Sequence, residues 1–221
     1  TIHYLSSLKR LVSKITGNDK GSLGLHPAIY FYNSKGKHNT TMFMGTMMLI
    51  GEKLRNNDKG FFIKFTEIRG HLESFLINNK ELIIKIFPEK ESNQRYKLYQ
   101  KFLEELINRL QDTTQSISSE EIAKMLGVEK VTLIQGSVKN IDFTDEIKNE
   151  TFIGQALSNA HKCPICNGYL HMEKSVQYDH IIEKSQGGMG ESSNCQLTHP
   201  FCNQSYKNQG LHKVTDEGSL G

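Results

Sequence analysis

The last quarter of this 221-residue chain holds the residues whose types and spacing could do chemistry. Cys163-Pro-Ile-Cys166 and His199-x-x-Cys202 are two pairs of soft or borderline metal ligands with the same gap, and His199 stands 33 positions after Cys166. Zinc takes four such ligands in a tetrahedron, and a pair spaced this closely suits a tight turn. Pro164 and Asn167-Gly168 favour that turn in the first pair, and Pro200 stands where the first turn of a final helix tolerates proline. Cys195 is a rival fourth ligand; it reads instead as small-residue core beside Asn194, so His199 is preferred. Cys163 and Cys166 alone would also permit a redox dithiol, although no βαβ pattern surrounds them.

Between the pairs lie Asp179-His180 and Asn194, and Asn203 follows the second pair directly. An aspartate is a hard oxygen ligand of the kind Mg²⁺ prefers. Histidine can take a proton from water near neutral pH. Phosphodiester hydrolysis needs both a base for the attacking water and a cation for the charge that develops on phosphate and leaving oxygen. The amide oxygen of Asn203 could complete the cation's shell. Singly, each residue has a plainer meaning: a solvated turn acid, a half-buried strand histidine, a loop cap. Their joint spacing, bracketed by zinc pairs, argues for the site.

The run Asp179-His180-Ile181-Ile182, Gly187-Gly188, Asn194-Cys195-Gln196-Leu197, Cys202-Asn203 and Lys207 resembles the His-Asn-His (HNH) endonucleases over about 50 residues, including 14 from His180 to Asn194 and 9 from Asn194 to Asn203. The zinc pairs are similar to those of a zinc-stapled subgroup. The resemblance implies a β-hairpin and helix around a metal, with His180 as general base. It implies Asp179 and Asn203 as ligands of a catalytic Mg²⁺ or Mn²⁺, Asn194 as the residue that ties the loop, and Cys163, Cys166, His199 and Cys202 around structural zinc. Three positions depart from the pattern. His199 stands where the subgroup usually has Cys, Cys195 where it has Leu, and Lys207 one residue beyond the usual phosphate-contacting Lys.

The elements that must position these residues read as helices. Ile2, Leu5, Leu8, Leu11, Val12 and Ile15 fall on one face of a helix over residues 1–16. A loop over 17–24 and a short aromatic run, Leu25 to Tyr32, lead to a turn at Asn33-Ser34-Lys35-Gly36. A helix is expected over 42–54, weakened by Gly45 and Gly51. Stronger ones carry Phe61, Phe65, Ile68, Leu72 and Phe75, then Tyr99, Phe102, Leu103, Leu106 and Leu110. Ser118-x-x-Glu121 reads as a capping box before a helix that Gly127 stops, and Thr144 as the cap of a helix over 144–160. Gly168 to Met172 and Ser175 to Ile181 read as β-prone.

The expected fold is therefore α+β: a helical region, 1–158, then a small zinc-stapled ββα-metal domain, 159–213, and a tail, 214–221. No apolar run approaches the roughly 18–20 residues that span a bilayer, so a cytoplasmic protein with no membrane partner is expected. The net charge of +3 allows nucleic-acid binding without arguing for it. Residues 161–213 hold five Lys, no Arg and four acids, so phosphate contacts there must come from placement. Lys9, Arg10 and Lys14, and Arg95, Lys97 and Lys101, read as basic but solvated helix faces. His26, before Pro27, is expected to cap or pack.

The segment Gly24-Leu25-His26-Pro27-Ala28-Ile29-Tyr30-Phe31-Tyr32, with Gly36-Lys37, is similar to a stretch of GmrSD-type restriction and anti-phage proteins. That resemblance implies a C-terminal part of a larger protein with a sensor domain or partner subunit upstream; Thr rather than Met at position 1 reads as a processed or excised chain. The expectation is a metal-dependent endonuclease acting on double-stranded DNA in restriction or anti-phage defence, alone or as a homo-oligomer. The competing expectation is a zinc-stapled module that binds nucleic acid or protein without cutting.

Overall fold

Apolar residues at three- and four-residue spacing wind most of the described residues before 160 into helices, four of which open on a side-chain cap. The computed structural model describes residues 2–85, 92–112, 117–127 and 142–207. The helices are α1 (Ile2–Ile15), α2 (Pro27–Tyr30), α3 (Thr40–Arg55), α4 (Lys59–Asn78), α5 (Lys80–Lys85), α6 (Ser92–Asp112), α7 (Ser119–Met125) and α8 (Asp145–Ser158). Asn39 caps α3 through Met42 N, and Asp58 caps α4 through Phe61 N. The capping box joins Ser118 and Glu121 reciprocally, and Thr144 caps α8. The tail expected at 214–221, with the last residues of the expected nuclease domain, lies outside the described residues.

Helices α3, α4 and α6 form the core, where Leu49, Ile50, Phe65, Leu72, Tyr99, Phe102 and Leu106 are buried. Gly45, which weakened the expectation of α3, is what lets α3 approach α6. A Cβ there would stand 2.7 Å from a Tyr99 ring carbon and 3.0 Å from the Tyr96 carbonyl oxygen. The helix expected over 1–16 forms, but little of its apolar face is covered: Ile2, Leu5, Leu8 and Val12 are exposed, Leu11 packs partly against the core, and Ile15 is buried. Only the last turns of α1 reach the core, so among the described residues the apolar period there has no partner along most of its length. Lys14, read as part of a solvated basic face, instead has its ammonium 4.6 Å from the Phe62 ring centre and 4.2 Å from that of Phe201.

The remaining secondary structure among the described residues is an antiparallel hairpin, β1 (Gln177–His180) with β2 (Cys195–Thr198), whose connecting loop holds two short 3-10 turns at Lys184–Gln186 and Ser192–Asn194, and then a π-helical segment at Cys202–Tyr206. The fold is thus α+β. The β-prone stretch 168–172 forms no strand; it contributes a single bridge, Lys162 with Tyr169, because its chain folds back across the first cysteine pair.

Hydrogen bonds sew the hairpin unit to the helices. Gly70 N donates to Cys166 O at 3.1 Å, Phe201 N to Ser22 O at 2.9 Å, and Val176 N to the Asn18 side chain at 2.9 Å. Gly70 has no room for a side chain, since a Cβ would lie 2.9 Å from that of Asn167.

Candidate metal centre and active site

Two turns and one helix start bring four ligand residues together. The Cys163–Cys166 turn is closed by Asn167 N donating to Cys163 O at 2.8 Å and Cys163 N donating to Gly168 O at 2.9 Å. Asn167 takes a positive φ of 55° to complete it, a conformation asparagine tolerates. His199 and Cys202 stand at the turn from β2 into the last helix. The ligand atoms of Cys163, Cys166, His199 and Cys202 all lie within 4.8 Å of one another, and all four residues are buried.

The donor set fits zinc. His199 Nδ1 is 3.4 Å from Cys166 Sγ and 3.9 Å from Cys202 Sγ, against about 3.5 Å between N and S in a tetrahedron built from the usual Zn–N and Zn–S lengths. His199 Nε2 lies 3.0 Å from the Tyr169 carbonyl oxygen. A carbonyl can only accept, so Nε2 carries the proton and Nδ1 turns its lone pair into the cage. Burial, then the Arg69 charge, holds the imidazole below its ordinary pKa, hence neutral. Burial pushes Cys166 up, and hydrogen bonds from Cys163 and Cys166 do the same to Cys202. Burial opposes ionisation of Cys163 too, but hydrogen bonds from Cys166, Cys202 and His199 pull it well down. Thiols this close ionise together only around a cation, which is how a thiolate site couples folding to metal.

Behind the cage lies a buried polar relay that the sequence did not disclose. Tyr169, whose carbonyl holds His199, donates its own N–H to Glu73 Oε2 at 2.6 Å. Glu73 Oε1 accepts from Tyr30 OH at 3.1 Å and from Arg69 Nε at 2.7 Å. The guanidinium also donates to the Leu23 and Gly24 carbonyls. Arg69 and Glu73 are almost wholly buried. A Cβ on Gly24 would sit 2.8 Å from His199 Cδ2, and one on Gly168 would sit 2.5 Å from Arg69 Nε. The segment from Leu23 to Tyr30 therefore packs directly on the metal centre. His26 packs against His171, with ring centres 5.5 Å apart and planes tilted by 58°, and its side chain makes no cap hydrogen bond. Three glycines beside a buried i,i+4 Arg–Glu pair were the available signal, and it has no meaning until the elements are placed.

Asp179 and His180, neighbours in sequence, leave β1 on opposite faces. Asp179 shares its face with Gln196, which donates to Oδ2 at 2.9 Å, and with the last helix, from which Lys207 Nζ lies 3.1 Å from both carboxylate oxygens. His180 pairs across the strands with Cys195, and its imidazole makes no hydrogen bond among the described residues. Cys195 is exposed, which corrects its reading as core; it is not among the four clustered ligands.

Asn194 accepts from Ile182 N at 2.7 Å and donates to the carbonyls of Ile182 at 3.1 Å and Met189 at 2.9 Å, so one amide closes the loop between the strands. Gly188 is fixed by the same loop, where a Cβ would lie 1.8 Å from Ile182 O. Asn203 meets β1 through its Nδ2, 3.4 Å from Tyr178 O and 3.5 Å from Gln177 Oε1. No hydrogen bond joins it to Asp179 among the described residues.

No helix among the described residues is long and apolar enough to cross a membrane. No curated protein and no solved structure matches the chain. Residues 163–209, which contain all four clustered ligand residues and both strands, match the family model for HNH endonucleases, and the resemblance read from the spacing holds for this unit with its candidate zinc site.

Proposed function

We propose that the protein is a metal-dependent endonuclease that hydrolyses phosphodiester bonds of double-stranded DNA in the cytoplasm. The observation that supports it best is one compact unit in which the zinc-ligand cage, an Asp179-His180 strand and an Asn194-tied loop share the hairpin and helix. Cys163, Cys166, His199 and Cys202 hold structural zinc. Its part is to fix the turn and the helix start from which β1 and Asn203 are aimed. Asp179 and Asn203 hold one Mg²⁺ or Mn²⁺, which when bound supplies charge stabilisation for the phosphate and the leaving oxygen.

The donor set agrees with such an ion. Around Asp179 the acceptors are hard oxygens, and a cation, the Lys207 ammonium, already rests on them. His180 accepts the proton of the attacking water. Its imidazole at the strand end, without a hydrogen bond among the described residues, leaves it able to do so. Asn194 keeps the loop after β1 closed, so the imidazole is presented in one place.

We extend the reading to restriction or anti-phage defence, with an upstream sensor domain or partner subunit. Its support is the Gly24 to Lys37 resemblance and the packing of that segment on the cage. One such site cuts one strand, so a double-strand break would take a homo-oligomer or two successive events.

Cleavage of supercoiled plasmid with Mg²⁺ or Mn²⁺ tests the assignment. His180→Ala is expected to lower cutting by about 10²–10⁴-fold with zinc content and melting temperature unchanged. Metal-dependent cutting that survives His180→Ala would remove His180 as base. No cutting by zinc-loaded protein on plain or modified DNA would leave the binding-module reading in its place.

A further inference from the structure

The ammonium of Lys207 is not a surface charge that happens to meet an acid. Its Nζ lies 3.1 Å from Asp179 Oδ1, 3.1 Å from Oδ2, 2.6 Å from the His180 carbonyl oxygen and 4.0 Å from Glu183 Oε1. Both side chains are largely sheltered, 12% and 7% exposed. Two carboxylate oxygens, a backbone carbonyl and a second carboxylate make an all-oxygen bed around a single positive charge. With Gln196 Nε2 also on Oδ2 at 2.9 Å, little of the Asp179 lone-pair capacity is left. A divalent ion cannot share this bed with an ammonium, because two cations on one sheltered carboxylate repel strongly.

A DNA phosphate offers the ammonium an alternative. Residues 161–213 contain no Arg and five Lys, and Lys162 lies over the Tyr169 ring. Lys207 is the lysine bonded to the backbone of His180 itself, so a phosphate within reach of the imidazole is also within reach of Nζ.

We propose that Lys207 gates the cation site: its ammonium fills the Asp179 bed in the free protein, and a DNA phosphate arriving beside His180 draws it out, so that the divalent ion loads together with DNA. This rests on the nuclease reading and adds to it an order of assembly. Because DNA must then favour the open state over the closed one, the linkage is reciprocal: the ion tightens DNA as much as DNA tightens the ion. It also means that a free, zinc-loaded protein resists loading with a catalytic ion.

The test is Mn²⁺ binding to the full, zinc-loaded chain, read from the electron paramagnetic resonance of the free ion. It uses a His180→Ala background, with and without a short DNA duplex. Without DNA, Lys207→Met is expected to bind Mn²⁺ about tenfold more tightly than its parent. DNA should tighten Mn²⁺ about tenfold in the parent and less than about twofold in Lys207→Met. Lys207→Arg, which keeps the charge, should behave as the parent does, and adding Asp179→Asn should erase the gain. Lys207→Gln serves in the same way should Lys207→Met lose zinc.

Equal DNA-free affinities in parent and Lys207→Met would overturn the gate, as would a gain that survives Asp179→Asn. An undiminished effect of DNA in Lys207→Met would overturn the handover to phosphate. If those results came with normal Mn²⁺-dependent plasmid cutting by the unmutated protein, the nuclease reading would stand without the gate. Absence of both Mn²⁺ binding and cutting would remove the two together.

Discussion

The helical region and the hairpin unit solve the same problem, how to fix a backbone, with different physics. Around α3, α4 and α6 the work is done by area: Phe65, Leu72, Tyr99, Phe102 and Leu106 are shut away from water, and each such side chain contributes about 1.5–3 kcal/mol. The hairpin unit has almost no such core. Its buried cluster is Cys163, Cys166, Leu170 and Cys202, while Tyr178, Ile182 and Met189 face solvent. Two-stranded hairpins are at best marginal by themselves, so this one is held by ligands, by the Asn194 amide and by the relay through Glu73. The difference teaches that the stable half supports the chemical half through polar groups: a buried ion pair in α4 reaches the candidate ligand His199 through one residue, Tyr169.

Removing zinc should break the comparison most sharply. Structural zinc contributes about 10–16 kcal/mol of apparent binding energy in small sites. Chelation, or Cys163→Ser, is therefore expected to unfold residues 163–207 while the α3–α4–α6 core persists. Hydrogen exchange would show lost protection at β1 and β2 and retained protection at Leu72 and Phe102; simultaneous loss in both regions would mean that the two halves are one cooperative unit.

A pair of substitutions of similar cost sharpens the same point. Phe102→Ala should cost about 3–5 kcal/mol through a cavity, and Glu73→Gln about 3–5 kcal/mol by leaving the Arg69 charge buried and uncompensated. Urea denaturation would register both. Only Glu73→Gln should also speed transfer of zinc to a chelator under native conditions, because only it loosens the Tyr169 peptide that orients His199.

Acid offers a gentler probe at the seam between the regions. Burial, then the His171 charge, pulls His26 from 6.5 down to about 4; Glu73 opposes them, and weaker pulls from Arg69 and Lys80 add to the lowering. The unfolded chain therefore binds the extra proton at higher pH than the folded one. This term is absent above pH 6.5, and stability is lost as pH falls from there toward 4. His26→Gln should flatten that slope by on the order of 1–3 kcal/mol, measured as melting temperature between pH 7 and pH 5. An unchanged slope would move the acid sensitivity elsewhere.

The smallest effects belong to α8, which buries only Leu157. Thr144→Ala removes its cap and should cost about 1 kcal/mol. Lys148→Ala removes an exposed pair with Asp145 and should cost less than about 0.5 kcal/mol.

Much of this was legible before any fold. The caps at Ser118 and Thr144 obey local rules, because a side-chain oxygen three residues ahead of an unpaired N–H needs nothing from the rest of the chain. The zinc set was legible because two ligands per turn at fixed spacing carry their own geometry. Where the expectation failed, the missing information was nonlocal. The period of α1 named an apolar face but not whether anything covers it; Cys195 looked buried by type and lies exposed on a strand. Gly45 looked like a helix fault until the Tyr99 ring stood against it.

The sequence by itself determined which residues could ligate zinc, where most of the capped helices begin, and that the segment with Asp179, His180 and Asn194 resembles the HNH endonucleases, whose family model it matches. Only the tertiary structure decided what surrounds them. Arg69 and Glu73, four apart on a helix, would pass for a solvent-exposed pair, and Lys207 for a stray phosphate contact. Placement turned the first into the buried prop of His199 and set the second on the Asp179 carboxylate. The physical reason is that ligand spacing and capping are short-range, fixed by a few bonds of chain. Burial and charge pairing depend on which surfaces meet, and that is settled only when α4, the Leu23 to Tyr30 segment and the hairpin close on one another.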